Sequence, residues 1–70
     1  MARAGQASNN FYESLIGKSI IIYMIGKARI TNGDFLDGIL IGFDEYTLIL
    51  NRDGEKYLIY KHAIESICEA

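Results

Sequence analysis

No proline interrupts the 70 residues, and cysteine and histidine occur once each. No apolar run approaches the roughly 20 residues that a bilayer-spanning helix requires. Each absence closes a class. Without proline, nothing removes a donor from a strand ladder. A single cysteine, Cys68, permits neither an intrachain disulfide framework nor a multi-cysteine zinc site, and burial near a hydrophobic C-terminal strand is its plain expectation. Residues 1–10 lack the apolar core of a signal peptide, so the reading is a cytoplasmic chain with no membrane partner. Basic residues number seven against nine acidic ones, for a net charge of −2. That balance argues against specific DNA binding, where Lys and Arg on phosphates supply most of the attraction. Any nucleic-acid site must therefore be local. One histidine, one cysteine and scattered carboxylates form no nucleophile–base pair, metal constellation or phosphate-cradling loop, so neither an enzyme nor a cofactor is expected.

Hydrophobic residues make up 50% of the chain, many of them Ile and Leu in short runs. A chain this short buries only about 60% of its unfolded surface as a monomer. Some of that apolar surface should face another subunit, which points to a homo-oligomer.

Residues 1–8 are small and polar without hydrophobic period and read as a flexible N-terminal tail, leaving residues 9–70 as one domain. Asn10 and Glu13 have capping-box spacing, Phe11 and Leu15 share a helical face, and Gly17 suits a left-handed terminator. One short helix over residues 11–16 follows, with its apolar side able to plug a barrel end. Ile20-Ile21-Ile22-Tyr23-Met24-Ile25 is β-branched and aromatic without polar alternation, the pattern of a strand covered on both faces. Residues 27–31 alternate, and Asn32-Gly33 is the chain's strongest hairpin signal. The returning arm is residues 34–43, with Gly38 and Gly42 permitting bends and bulges. Residues 46–50 and 56–60 form two further strands about an Asn51-Arg52-Asp53-Gly54 turn, and residues 64–68 form the last. The expected fold is all-β with one N-terminal helix: a strongly bent, five-stranded, SH3-like barrel.

Two strings carry more than fold. Phe43-Asp44-Glu45-Tyr46 and Tyr60-Lys61-His62-Ala63-Ile64, with Gly33, Gly38 and Leu48-Ile49-Leu50 in the same order, resemble the bacterial Hfq proteins. Leu15-Ile16-Gly17-Lys18 is also similar to the approach to the first strand in archaeal and eukaryotic Sm-like (LSm) proteins. The resemblance implies a ring-forming Sm-like subunit, expected as a homohexamer. Its pore would bind uridine-rich single-stranded RNA, as an RNA chaperone in post-transcriptional regulation and stress response.

Residue by residue, the resemblance places Tyr46, Lys61, His62 and Glu45 at the pore. By strand alternation alone Tyr46 is a packing residue; the motif makes it a stacking platform. Lys61 and His62 are neighbours and point to opposite faces of a continuous strand, unless the strand ends there and a turn brings both toward the pore. Lys61 can donate to a uracil carbonyl or phosphate, and His62 can donate or accept. Tyr60, Asp44 and Ile59 are assigned interface or structural roles. Tyr60 would bridge subunits, and Asp44 would fix a turn or a neighbour's loop. A charge at Ile59 would then disrupt the ring, and the strands carrying residues 46–50 and 57–60 would offer edges to neighbours.

Three departures from the Hfq pattern stand out. The segment between the helix and the first motif is a few residues longer than usual, and residues 26–31 read as either an extended hairpin or an insertion. Glu45 replaces an amide or basic residue, and a carboxylate there would repel phosphate. Of the basic residues that follow the helix, only Lys18 is retained. With Asp34 and Asp37 on the opposite face, the alternative is an Sm-fold scaffold ring with weak or lost RNA binding.

Overall fold

The computed structural model describes residues 9–28 and 33–70. The expected N-terminal tail, and the stretch 29–32 with Asn32 of the hairpin signal, lie outside the described residues. Helix α1 (Asn9–Leu15) is followed by β1 (Ser19–Ala28), β2 (Gly33–Phe43), β3 (Thr47–Arg52) and β4 (Glu55–Tyr60). A single 3-10 turn, Lys61–Ala63, then leads into β5 (Ile64–Glu69). The strands form one antiparallel sheet in the order β4-β3-β2-β1-β5.

That order requires a rolled sheet. Strands β4 and β5 are its two edges, and a flat sheet would separate them by about 19 Å at the usual strand spacing. The 3-10 turn that joins them has three residues and reaches only about 10 Å. The edges must therefore curl toward each other. The register shifts that permit this fall between Tyr23 and Met24 on β1 and between Leu40 and Gly42 on β2. At Gly38 the backbone of β3 comes so close that a Cβ would lie 2.7 Å from the Asn51 carbonyl oxygen and 2.9 Å from Leu50 Cγ. Only glycine fits that crossing.

The inside of the roll is one apolar core: Ile20 and Ile22 from β1, Leu36 and Leu40 from β2, Leu48 and Leu50 from β3, Ile59 from β4, Ile64 and Ile67 from β5. Helix α1 covers it with Tyr12 and Leu15. Gly17 (φ 81°) ends the helix, its amide donates to the Leu40 carbonyl at 2.7 Å, and Leu40 returns a bond to Lys18 at 3.2 Å. The helix is thereby tied to the middle of the sheet.

Several sequence expectations need correcting. The helix starts at Asn9, so Asn10 lies inside it and its spacing to Glu13 does not mark the start. Strand β1 is fully buried on one face only: Ile20 and Ile22 are buried, Ile21 and Tyr23 are half-buried, and Ile25 is exposed. Strand β3 is interior, paired on both sides, and the second edge is β5. It also runs on to Arg52, which leaves Asp53 (φ 53°) and Gly54 (φ 84°) as a two-residue hairpin turn, both left-handed. Ile59 packs in the protomer's own core at 7% exposure, whereas its neighbours Leu58 and Tyr60 are both 56% exposed. A charge at Ile59 would attack the fold itself. Cys68 is only partly buried and free.

Candidate nucleic-acid interface

The two sequence strings meet in space through a backbone bond. Strand β2 ends at Phe43, and Asp44 then organises the turn into β3. Its Oδ1 accepts from the Tyr46 amide (2.9 Å), the Thr47 amide (2.8 Å) and the Thr47 hydroxyl (2.7 Å). The Asp44 amide in turn donates to the Thr47 carbonyl at 2.9 Å. A carboxylate with a hydroxyl and two amides arranged around it holds its negative form. The Thr47 hydroxyl first, then the Tyr46 and Thr47 amides, lower the Asp44 pKa below the ordinary value. This closed turn leaves Glu45 exposed and Tyr46 68% exposed.

From the other side, β4 ends at Tyr60 with extended backbone and the 3-10 turn begins. The Lys61 amide donates to the Tyr46 carbonyl at 2.8 Å, and the Ile64 amide closes the turn on the Lys61 carbonyl. Since the strand ends here, Lys61 and His62 escape the alternation that would send them to opposite faces. His62 is exposed, with its ring 5.6 Å from that of Tyr60 at 31°. Lys61 is half-buried, and its Nζ lies over the Tyr12 ring at 4.4 Å from the centroid and 5.6 Å from that of Phe43. Tyr46, Lys61 and Glu45 thus cluster at one corner, His62 and Tyr60 beside them.

Tyr12 is a residue that sequence reasoning missed. It is 1% exposed, and burial raises its pKa. The i, i+3 spacing of Tyr12 and Leu15 was the available signal, but the i, i+4 pair Phe11 and Leu15 masked it.

Elsewhere, two cations face carboxylates. Lys18 Nζ lies 3.6 Å from Glu69, and Arg52 lies 3.5 Å from Asp37 and 3.7 Å from Asp53. A cavity of about 450 Å³ opens beside Phe35, Asp37, Ile39 and Arg52, whose buried Nε has the Asp37 carboxylate nearby but no hydrogen bond. Among the described residues no group of His, Cys, Asp and Glu could hold a metal ion, and no helix is long and apolar enough to cross a membrane.

A helix-capped, rolled antiparallel sheet of five strands with a 3-10 turn between the last two is an Sm-like fold. The Hfq protein family model matches residues 17–70. The chain belongs to the Hfq family. It is 48% identical over 48 residues to the RNA-binding protein Hfq of Alkaliphilus metalliredigens, covering 69% of this chain and 52% of that protein. It is 50% identical over 38 residues to the RNA-binding protein Hfq of Ruminiclostridium cellulolyticum, covering 54% and 48%. The chain thus spans about half the length of the curated relatives it matches. A 1.55 Å crystal structure of the pleiotropic translational regulator Hfq superposes with a TM-score of 0.70 at 26% identity, covering 84% of this chain and 92% of that one.

Proposed function

We propose that this chain is an RNA-binding ring subunit that holds uridine-rich single strands at its pore. It would act as a cytoplasmic RNA chaperone in post-transcriptional regulation, without bond chemistry. The observation that carries the reading is the Lys61–Tyr46 backbone bond, because it joins the backbones of an exposed aromatic residue and a lysine at one corner of the fold. Tyr46 offers a flat partner to a base, a contact worth about 1–3 kcal/mol. Lys61 supplies a donor and a positive charge, His62 a second polar contact, and Glu45 disfavours phosphate so that base edges are preferred. The names of the relatives, which describe RNA-binding proteins, support the same reading.

Ring assembly, expected as a homohexamer from the resemblance to Hfq proteins, is supported by the edge strands β4 and β5 together with exposed Leu58 and Tyr60. Residues 9–70 would form one Sm-like domain of that ring. Fluorescence anisotropy with labelled oligouridine and oligoadenine tests the function: tighter binding of oligouridine is expected, and failure to bind it at moderate salt refutes the pore site.

A second reading, a scaffold ring with weak RNA affinity, is favoured by one set of contacts. Arg52 and Lys18, two of the cations outside the corner, each face a carboxylate and are less open to phosphate. Native mass spectrometry of rings purified from cells separates the two, since a scaffold would emerge free of nucleic acid.

A further inference from the structure

We propose that Tyr12 is a positioning residue, which holds the Lys61 ammonium in place for ligand through the face of its ring; the inference rests on the RNA-binding reading above. Four observations converge on it. The Lys61 Nζ stands 4.4 Å from the Tyr12 ring centroid, within the range of a cation–π contact. The Tyr12 ring is itself immobilised: it is 1% exposed, edge-on to Phe11 at 5.7 Å and tilted against Phe43 at 5.6 Å. Phe43 adds a second ring to the cation, at 5.6 Å. At the other end of the same residue, the Lys61 backbone is pinned to Tyr46 at 2.8 Å.

A lysine has a flexible four-carbon stem, and ordering it at the moment of binding costs affinity. Here both ends of the residue are held before any ligand arrives. The ammonium keeps its charge and its donors, because a ring face is attracted to the cation without accepting its protons as a carboxylate would. Helix α1 therefore contributes to the site through Tyr12, although Tyr12 is buried and makes no claim to touch RNA itself. Lys61 also differs from Lys18 and Arg52: those lie within ion-pair distance of carboxylates, whereas the Lys61 charge acts on the Asp44 carboxylate only as the last of the causes that lower its pKa.

The test is a double-mutant cycle read by anisotropy with oligouridine at fixed salt, on protein shown to be folded by circular dichroism. Tyr12→Leu should weaken binding by about three- to tenfold in the unmodified chain and have no further effect in a Lys61→Met background. Tyr12→Phe, which keeps the ring face, should restore unmodified binding. An equal loss from Tyr12→Leu in both backgrounds would show that Tyr12 acts through the fold alone and overturns the proposal. The free protein supplies an independent readout by NMR: the Lys61 ε-methylene protons should be ring-current shifted upfield and return toward ordinary positions in Tyr12→Leu. If the unmodified chain binds no oligouridine, the RNA reading fails and the cage stands or falls on that shift; unshifted protons overturn it.

Discussion

The Lys61 amide donates to the Tyr46 carbonyl at 2.8 Å, so the first residue of the 3-10 turn is locked to the residue before β3. Residues 15 apart in sequence are made neighbours by a backbone bond that no side-chain substitution removes. Variants at Tyr46 and Lys61 should therefore change ligand binding without moving the corner. Tyr46→Ala is expected to leave the melting temperature close to that of the unmodified chain, and Lys61→Met, which gives up the contact of its charge with Tyr12 and Phe43, to lower it by no more than about 10 °C, checked by thermal circular dichroism.

Asp44 is the brace of that corner. Asp44→Ala removes the acceptor of the Tyr46 amide, the Thr47 amide and the Thr47 hydroxyl together, and the melting temperature at neutral pH should fall. Its folded pKa is lowered, so the stabilisation is fully present above the unfolded carboxylate value and is lost as pH falls through the folded one. The gap between Asp44→Ala and the unmodified chain should accordingly narrow on acidification. Thermal melts from neutral pH down to about pH 3 check this, across the ordinary Asp range near 3.9.

Ile59 and Leu58 separate folding from assembly. Ile59→Ala opens a cavity in the core and should cost about 2–4 kcal/mol in denaturant unfolding. Leu58→Asp, on the exposed face, should leave the protomer folded and lower the mass by light scattering. A Leu58→Asp protein that keeps the assembled mass would remove β4's outer face from the ring contact.

Gly38 and Gly54 are intolerant of alanine for different reasons. At Gly38 a Cβ meets β3 backbone at 2.7 Å, and Gly38→Ala should cost about 1–3 kcal/mol as overpacking. At Gly54 nothing lies within 4 Å but φ is +84°, so Gly54→Ala should cost about 1 kcal/mol from backbone conformation alone. Urea unfolding of the two variants checks the order.

How much of this was legible in the sequence depended on the kind of signal. Strand number and order along the chain were visible because β-branched runs and turn residues are local features; the turn read over residues 51–54 narrowed to Asp53-Gly54, because Asn51 and Arg52 pair with β4. Which strand lies at an edge was not, since β3's interior place and β5's pairing with β1 follow from the roll of the sheet, a non-local property. The Ile20 to Ile25 run was misread because an apolar sequence does not say whether its second face is covered by its own chain. Of the candidate site, the escape of Lys61 and His62 from strand alternation was posed by the sequence as a condition, and the 3-10 turn supplies its first part, the end of the strand at Tyr60. Ile59 was misplaced because neighbouring apolar residues on a strand face opposite ways, and register alone decides which is inside. Tyr12's meeting with Lys61 joins α1 to the end of β4 and left no pattern in either segment.

The direct measurement of the central claim is the Kd for labelled oligouridine of the unmodified chain and of Tyr46→Ala, at one fixed moderate salt concentration. Loss of one stacked base, about 1–3 kcal/mol, would appear as roughly five- to 150-fold weaker binding with the fold and assembled mass unchanged. Oligouridine binding that is absent in the unmodified chain, or that is unaltered by Tyr46→Ala, would contradict a pore site built on Tyr46 and Lys61.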